Sequence, residues 1–471
     1  MTHAVIIGGG IAGLATAYYL QKKSAETGLP IDYTLVESEP RLGGKIITKT
    51  IDDFVIEGGP DSIVTTKPWG AKLCRDLGLD DELIPTNDYK RGIFVLNKGK
   101  LVDFPGGFRL TIPTEFIPFA LSPLISPLGK LRMAMDLFIP PRQESGDESL
   151  GDFIRRRLGD EALKKIAGPM MAGIYVADPE KLSLKSTFPQ FMAMEQKYGS
   201  LIKAMQHAKK NRPTNGAKPS PMFLSLKGGL NDLVKTLVKQ LKGELCLGQR
   251  VTRLKADKTG FHVFTDHSQT PIYADAVILA VPAYVAADLI EPILPELAQL
   301  QRQIRYVSTA TISLGYRRAD VIKQHPFNGF GFLIPQSEQR KIIACTWTST
   351  KFDCRASDDD VLVRVFVGGD GQEAHVTLPD DQLLTLVKKE LSDIMGVTAQ
   401  PVVHQIFRWV KGNPQYDVGH MERVDAMEAL ARQIPGLYLN GSAYRGVGIP
   451  DCVKGALETV DYLFEQLHGK A

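Results

Sequence analysis

Three glycines near the N-terminus have the spacing of a phosphate-binding turn. Gly8, Gly10 and Gly13 form a GxGxxG pattern that follows an apolar segment and begins a run of helix-forming residues. A dinucleotide requires a tight turn, close approach of the backbone to its pyrophosphate and close packing of helix on strand. Glycine meets all three requirements, and the positive end of the helix then faces the phosphates. We predict a pyrophosphate site here, with Ile11 and Ala12 at the start of the helix.

An acidic residue follows at the distance expected of a ribose ligand. Glu37 ends the second apolar segment, 24 residues after Gly13. Its carboxylate can accept hydrogen bonds from both hydroxyls of an adenosine ribose. This favours an unphosphorylated ribose over NADP, and Ser38 is expected to lie in the same part of the site.

Two glycine-rich elements after Glu37 extend the site and favour FAD over NAD. They are an RxGGK pattern and a second glycine turn, formed by Arg41, Gly43, Gly44, Lys45, Gly58, Gly59, Pro60 and Asp61. These elements resemble those of the amine-oxidase-like flavoprotein superfamily. The resemblance implies that they pass the pyrophosphate and the isoalloxazine of a non-covalently bound FAD.

Two later segments resemble the same superfamily in the same chain order. They are residues 249–254 and residues 441–453. The resemblance implies a contact of the adenine with the backbone of Val251, and places three residues beside the flavin ring: Val447, Gly448 and Ile449. The helix that follows would bring roughly half a positive charge to the flavin. Trp409 either packs against the flavin or is an ordinary core aromatic, and the sequence leaves both readings open.

Four further segments indicate one particular family within this superfamily. Four segments, IEGGPDS, GIYVADPEKLSLKSTFPQF, ACTWTS and GVGIPDCV, together resemble the porphyrinogen oxidases of haem biosynthesis over nearly the whole chain. The Gram-positive bacterial branch fits best. This resemblance implies oxidation of coproporphyrinogen III, and also of protoporphyrinogen IX, with O2 as electron acceptor and H2O2 as product.

A porphyrinogen with several propionates needs cations at the mouth of a flat apolar cavity. Lys67 follows the GGPDS turn, and the resemblance implies an active-site cation close to this position. Tyr175 could stack on the macrocycle or pack in the core. Arg91, Arg109 and Lys341 are weaker candidates, because most such charges are solvated.

Asp61 departs from part of the family. Some eukaryotic members carry an arginine at this position and bind the substrate with two propionates. An acidic residue cannot pair with a propionate in that way. The departure favours the bacterial coproporphyrinogen branch.

Three other functions would share part of these features. A flavin oxidase of the same superfamily, acting on an amine or a carotenoid precursor, would share the nucleotide motifs. A non-enzymatic carrier of the same fold should lack an intact flavin site. A pyridine-nucleotide reductase should have a second GxGxxG unit and a redox cysteine pair, and neither pattern is present in the sequence.

Composition limits the partners and the compartment. The 471 residues include 56 basic and 53 acidic side chains, a balance too even to indicate nucleic-acid binding. Five scattered cysteines fit a reducing cytoplasm, and we expect no export signal and no bound metal. The longest uncharged run, residues 116–129, contains three prolines and is too short to cross a bilayer. Contact with the inner face of the cell membrane and the oligomeric state stay open.

The order of the expected strands and helices predicts an α/β fold. It has a Rossmann-type FAD-binding domain, an antiparallel-sheet substrate domain and a helical insertion. We expect the FAD-binding domain in three parts, residues 1–68, 221–290 and 406–471. A mostly helical insertion, containing the substrate cavity, would span residues 69–220. Alternating apolar segments predict the substrate sheet within residues 291–405.

Overall fold

The computed structural model describes residues 2–87, 89, 92–104, 108–109, 112–113, 122–144, 146–210 and 221–468. The strands, in chain order, are β1 (Thr2–Ile7), β2 (Ile31–Glu37), β3 (Thr48–Ile51), β4 (Phe54–Glu57), β5 (Ile63–Val64), β6 (Leu83–Pro85), β7 (Ile93–Asn97), β8 (Lys100–Asp103), β9 (Phe108–Arg109), β10 (Ile112–Pro113), β11 (Phe223–Leu226), β12 (Glu244–Leu247), β13 (Val251–Asp257), β14 (Gly260–Thr265), β15 (Ile272–Ala274), β16 (Ala276–Leu279), β17 (Tyr306–Arg317), β18 (Gly331–Leu333), β19 (Ala344–Trp347), β20 (Asp360–Gly368), β21 (Val403–Pro414) and β22 (Leu437–Leu439).

The helices, in chain order, are α1 (Ile11–Thr27), α2 (Trp69–Asp76), α3 (Pro127–Ala134), α4 (Leu150–Leu158), α5 (Asp160–Ala162), α6 (Gly168–Ile174), α7 (Leu184–Thr187), α8 (Pro189–Tyr198), α9 (Leu201–Lys210), α10 (Asn231–Gln240), α11 (Ala283–Ile290), α12 (Pro295–Arg302), α13 (Arg318–Val321), α14 (Thr348–Lys351), α15 (Asp380–Met395), α16 (His420–Ala431) and α17 (Ile449–His468). Among the described helices, none is both long enough and apolar enough to span a bilayer.

A five-stranded parallel sheet carries the N-terminal glycine turn. Its strand order is β12-β2-β1-β16-β22, so strands from both ends of the chain meet beside β1. Val5 and Ile6 in β1, and Val277 and Ile278 in β16, are fully buried, as expected of a parallel sheet covered on both faces. Helices α1 and α17 pack against each other beside this sheet. The glycine turn lies at the carboxyl end of β1, where α/β sheets bind ligands.

A seven-stranded, mostly antiparallel sheet forms the second layer. Its order is β21-β17-β20-β19-β18-β7-β8. One face of β17 buries Ala310, Ile312 and Leu314 in an apolar core. The alternate residues Thr309 and Thr311 point to the other face, because side chains alternate along a strand. The sheet therefore presents one apolar face and one face with buried polar groups.

Two predicted domain limits differ from the strand pairing. Residues 93–103, expected in a mostly helical region, form a hairpin that pairs with β18 in the seven-stranded sheet. Its turn has positive φ at Lys98 and Gly99, the backbone conformation of a tight hairpin turn. Strand β21 crosses the predicted limit at residue 405 and pairs along β17. Strands β7 and β8 have only five and four residues, too few for their alternation to show which sheet they join, and the sequence of β21 does not identify β17 as its partner.

The described part of the helical region, residues 122–144 and 146–210, contains buried ion pairs of Arg157 with Asp136 and Glu195. Arg157 and Asp136 are fully buried and lie 2.6 Å apart, Nε to Oδ1. Arg157 also donates to the carbonyls of Asp136 and Gly199, and Ser200 donates to Asp136. The pair therefore joins α4 to the segment that links α8 and α9, since a buried charge is tolerated only when its hydrogen bonds are satisfied.

Candidate flavin site

The first glycine turn has no room for side chains at two of its positions. A Cβ on Gly13 would lie 1.9 Å from the carbonyl oxygen of Gly8. Gly8 itself has φ +110°, and a Cβ there would lie 2.5 Å from the oxygen of Ala280. Gly10 differs, because its Cβ would meet no heavy atom within 4 Å. Gly8 and Gly13 therefore shape the turn, whereas Gly10 leaves open space in front of it.

The same turn leaves the start of α1 free for an anion. Gly10 is the N-cap and supplies no side-chain cap, and the first turn of the helix contains no acidic residue. The first N–H groups of a helix lack intrahelical partners, so those of Ile11 and Ala12 are oriented toward the open side. Together with the positive helix end, this is a suitable environment for a diphosphate.

Glu37 ties the end of β2 to this turn. Its Oε2 accepts a hydrogen bond of 2.6 Å from the Gly9 backbone N–H. Its Oε1 accepts from the Glu39 backbone and from the hydroxyl of Ser38, at 2.8 and 3.1 Å. Gln249, two residues before Val251, donates its backbone N–H to the Glu37 carbonyl at 2.9 Å. The predicted ribose and adenine residues thus lie side by side.

The RxGGK element packs directly on the first turn. The Gly43 N–H donates to the Gly9 carbonyl at 2.8 Å. Gly44 has φ +55°, and its Cβ would lie 3.1 Å from the Cα of Gly10. Arg41 donates to the Gly44 carbonyl at 2.7 Å, which holds this second turn in place.

The next glycine pair, Gly58 and Gly59, packs on the RxGGK turn. The three turns, at residues 8–13, 43–45 and 58–59, thus form one glycine stack. A Cβ on Gly59 would lie 1.9 Å from the carbonyl oxygen of Lys45, so this position also requires glycine. The Lys45 ammonium donates to the Gly412 carbonyl in β21, and burial lowers its pKa. Trp409, also in β21, donates its indole N–H to the Gly58 carbonyl at 2.9 Å. These contacts bring the glycine stack against the seven-stranded sheet.

The last candidate segment lies at the start of α17. Asp451, in the first turn of this helix, accepts a hydrogen bond from the Gly448 N–H at 3.3 Å. The same carboxylate pairs with Lys67 at 2.6 Å, Nζ to Oδ1. Lys67 is 44% exposed and Asp451 13%, so the pair lies at an opening rather than in the core. Ile449 is buried at the start of the helix.

Tyr175 lies close to this segment. Its ring and Val447 pack, partly buried, against the same apolar cluster, and the ring makes an edge contact with Phe188 at 6.0 Å between centroids. Burial, followed by the charge of Asp451, raises the pKa of Tyr175 to about 12. The phenol is therefore protonated at neutral pH, so it can donate a hydrogen bond and cannot serve as a base.

The remaining predicted residues are placed as follows. Pro60 and Asp61 follow the third glycine turn, and Asp61 pairs with Lys351 at 2.8 Å. Lys341 is exposed near Glu390, with its backbone N–H 3.5 Å from that carboxylate. Arg91 and the side chain of Arg109 lie outside the described residues.

Sequence reasoning missed three polar residues that meet the third glycine turn. They are Thr311, Lys351 and Arg364, and all three contact residues 58–61. A signal for Arg364 was present, because it is the single charge inside the apolar strand segment VLVRVFVGG. A buried charge in a central strand has a partner, and its position alone marks a site.

The three stacked turns, the open approach at Gly10 and the uncapped helix fit the diphosphate of FAD. The polar sheet face and the start of α17 add further binding groups. These groups extend the site beyond the part that would bind a nucleotide. Among the described residues, no group of three or more histidine, cysteine or carboxylate side chains could hold a metal ion.

Comparison with known proteins agrees with this geometry. Residues 11–463 match the family described as flavin containing amine oxidoreductase. The chain is 40% identical to a protein of Bacillus subtilis named coproporphyrinogen III oxidase, over 98% of each chain. It is 34% identical to a protein of the same name from Staphylococcus aureus, over 96% of this chain and 97% of the relative. A solved structure from Exiguobacterium sp. 255-15, assigned as a protoporphyrinogen oxidase, is 34% identical, covers 99% of each chain and superposes with a TM-score of 0.88. The chain therefore belongs to the flavin containing amine oxidoreductase family.

Proposed function

We propose that this chain is an FAD-dependent porphyrinogen oxidase of haem biosynthesis. Its preferred reaction is the six-electron oxidation of coproporphyrinogen III to coproporphyrin III, and it also accepts protoporphyrinogen IX. The observation that carries the proposal is the full stack of glycine turns, in a chain matched over 98% of its length by a relative named coproporphyrinogen III oxidase.

The nucleotide half of the cofactor is assigned to the first two turns. The diphosphate would lie at Gly10, Ile11 and Ala12, where the helix start is uncapped. Glu37 would exchange one of its backbone partners for the ribose hydroxyls, and the Val251 backbone would meet the adenine. The resemblance to the family and the geometry of the turn support the same placement.

The flavin half is assigned to the third turn and to the start of α17. The residues concerned are Lys45, Gly58, Gly59, Pro60, Asp61, Trp409, Val447, Gly448 and Ile449. Helix α17 directs its positive end at this part of the site. Lys67 compensates the charge of Asp451 in the first turn, so the acidic side chain does not cancel the helix field.

When bound, FAD supplies the hydride acceptor, and each porphyrinogen requires three such two-electron oxidations with O2 reduced to H2O2 each time. The protein binds and orients the macrocycle and excludes water from it. Tyr175 would meet the macrocycle with its ring, and its protonated hydroxyl would donate to the substrate. No nucleophile is needed for this chemistry.

The charge at Asp61 supports the coproporphyrinogen preference. Burial raises the pKa of Asp61, but the neighbouring Lys351 and Arg364 outweigh it and the net effect lowers the pKa. Asp61 is therefore ionised, and it forms an ion pair with Lys351 at 2.8 Å. A substrate propionate would be repelled there, so propionate binding is assigned to Lys67, which also pairs with a carboxylate but is 44% exposed and can turn to a substrate carboxylate.

We place the enzyme in the cytoplasm, with peripheral contact at the inner face of the cell membrane. One side of α3 and the residues after it exposes Leu128, Leu131 and Phe138, at 80%, 65% and 85%. Exposed apolar side chains in one row mark an interaction surface. Co-sedimentation with phospholipid vesicles tests this, and replacing Leu128 and Phe138 by serine should abolish any binding.

Side-by-side turnover tests the proposed reaction. Purified enzyme with FAD would receive coproporphyrinogen III or protoporphyrinogen IX in air, with porphyrin fluorescence and peroxide followed together. The proposal expects faster turnover of coproporphyrinogen III and three H2O2 per porphyrin formed. A yellow protein inert toward both substrates would instead favour an oxidase of an amine or a carotenoid precursor. A colourless protein that cannot take up FAD would favour a carrier.

A further inference from the structure

A single backbone carbonyl in the third glycine turn receives three donors from the seven-stranded sheet. The Gly58 oxygen accepts from Thr311 Oγ1 at 2.9 Å, from Trp409 Nε1 at 2.9 Å and from Arg364 Nη2 at 3.1 Å. These donors belong to three adjacent strands, β17, β21 and β20. Arg364 also donates to the Gly59 carbonyl. The sheet therefore fixes two consecutive carbonyls of one turn.

Arg364 is the unusual member of this set. It is 4% exposed in the middle of β20, and its neighbours along that strand are valine and phenylalanine. A threonine or a tryptophan would satisfy a carbonyl without the cost of burying a charge. Burial lowers the pKa of Arg364 despite the nearby charges of Asp61 and Glu57. The cost of burying the Arg364 charge must therefore be offset by its favourable interaction with a nearby group.

The surrounding ion pairs leave Arg364 incompletely compensated. Asp61 already pairs with Lys351 at 2.8 Å. Glu57 lies 4.0 Å from the buried Arg355 and accepts from the Leu230 backbone at 2.7 Å. Asp232 is a further carboxylate near Arg355, but no carboxylate of the described residues forms an ion pair with Arg364 itself. In addition, the buried Nε of Arg364 has no hydrogen-bond partner within the part of the chain that the structure describes.

We infer that Arg364 is a positioning residue that locks the Gly58–Gly59 turn against the sheet and makes the bound flavin easier to reduce. One guanidinium nitrogen, Nη2, donates to both carbonyls, and the rigid planar group fixes the position of this nitrogen better than a flexible lysine or a shorter glutamine would. Its positive charge acts through a poorly screened interior, and it stabilises negative charge that develops nearby. The inference rests on the proposed function, because that function places FAD at this turn.

Three variants separate the geometry from the charge. Arg364→Gln keeps a donor and removes the charge, whereas Arg364→Lys keeps the charge and removes the rigid planar guanidinium that positions Nη2. Thr311→Val is the matched control, because it removes a neutral donor to the same carbonyl. For each apoprotein, the FAD dissociation constant is measured by quenching of flavin fluorescence. The midpoint potential of the bound flavin is measured against reference dyes, and thermal unfolding of the apoprotein reports the fold.

The inference expects Arg364→Gln to raise the FAD dissociation constant about tenfold and to shift the midpoint potential to more negative values. Arg364→Lys should weaken FAD binding similarly while keeping a potential near that of the wild type. Thr311→Val should weaken binding by about threefold, with the potential unchanged. If Arg364→Gln does not fold, Arg364→Met, which suits the apolar neighbours in the strand, replaces it as the uncharged variant with the same expected shift in potential.

Three results would overturn the inference alone. The first is wild-type FAD affinity and potential in Arg364→Gln, and the second is wild-type FAD affinity in Arg364→Lys. The third is a potential that moves as far in Thr311→Val as in Arg364→Gln, because the charge would then have no separate effect. A wild-type apoprotein that binds no FAD would overturn the proposed function together with this inference.

Discussion

The glycine stack and the polar cluster beneath it are built in opposite ways. The stack uses backbone groups of residues 8–59, and its contacts join short glycine-rich turns that sequence motifs mark, such as Gly9 with Gly43 and Gly10 with Gly44. The polar cluster uses side chains that arrive from distant strands. Trp409 meets Gly58 across 351 positions of the chain, and Arg364 meets it across 306. The glycine stack can be recognised from short sequence motifs, whereas the polar cluster forms only when distant strands pair.

The difference explains what each part can contribute. Backbone N–H groups at a helix start bind phosphate with no titratable side chain, so they act alike over a wide pH range. Buried charged side chains can tune a flavin or orient a macrocycle, but their effects depend on ionisation and on neighbours. The following predictions test this division.

The largest effect is expected at Gly13. In Gly13→Ala the new Cβ would overlap the Gly8 carbonyl oxygen at 1.9 Å, which should destabilise the apoprotein by about 3 kcal/mol or more. Urea unfolding of the apoprotein measures this. Gly10→Ala is the control, because its Cβ meets no protein atom within 4 Å. That variant should unfold like the wild type and lose FAD affinity. Equal loss of stability in both variants would contradict the separate roles of the two glycines.

This contrast also shows why the sequence predicts the glycine turns themselves. Gly8, Gly13 and Gly59 are fixed by close approaches that only glycine allows, so the motif itself reveals the turn. Arg364 and Lys351 reach the same turn because β20 and α14 are brought to it by sheet pairing. That pairing depends on register over hundreds of residues, which no local pattern contains. The hairpin of β7 and β8 was missed for the same reason.

A second effect concerns pH and the side-chain part of the molecule. His420 is fully buried, stacks on Tyr416 and donates its Nε2–H to the Tyr444 carbonyl. Burial lowers its pKa from 6.5 to about 4, so the folded protein holds it neutral while the unfolded chain takes up a proton. Stability should therefore fall as pH drops below 6.5, by about 2 kcal/mol between pH 7 and pH 5 from this group.

Urea unfolding at both pH values measures this contribution. His325 acts in the same direction, because burial also lowers its pKa to about 4. His420→Gln should remove only the part due to His420 and flatten the pH dependence accordingly. An unchanged slope in that variant would show that His420 is not held neutral by the fold.

A smaller effect is expected at the ribose residue. Glu37→Gln loses an acceptor for the backbone of Gly9 or Glu39 and for the ribose, so FAD should bind about tenfold more weakly. Fluorescence titration of the apoprotein measures the change. The neighbouring Glu39→Gln is the control, because that side chain is exposed and should leave FAD affinity unaltered. Similar losses of FAD affinity in both variants would show that the affinity depends on the total negative charge near the site, and not on a contact between Glu37 and the ribose.

The smallest effect is expected at Lys67. Its pair with Asp451 is partly exposed, so its removal should cost about 1 kcal/mol or less. Lys67→Met should raise the KM for coproporphyrinogen III by a few fold and leave the FAD dissociation constant unchanged. Lys72→Met, which removes a comparable surface pair with Asp76, should change neither. A KM that stays the same in Lys67→Met would remove this lysine from the substrate site.

The central claim is that FAD bound to the glycine stack takes electrons from a porphyrinogen. The most direct measurement mixes oxidised enzyme with a limiting amount of coproporphyrinogen III without oxygen, and follows flavin absorbance and porphyrin fluorescence together. The account predicts bleaching of three flavins for each coproporphyrin III formed, because six electrons leave in three pairs. Flavin that stays oxidised while the substrate is unchanged would contradict it.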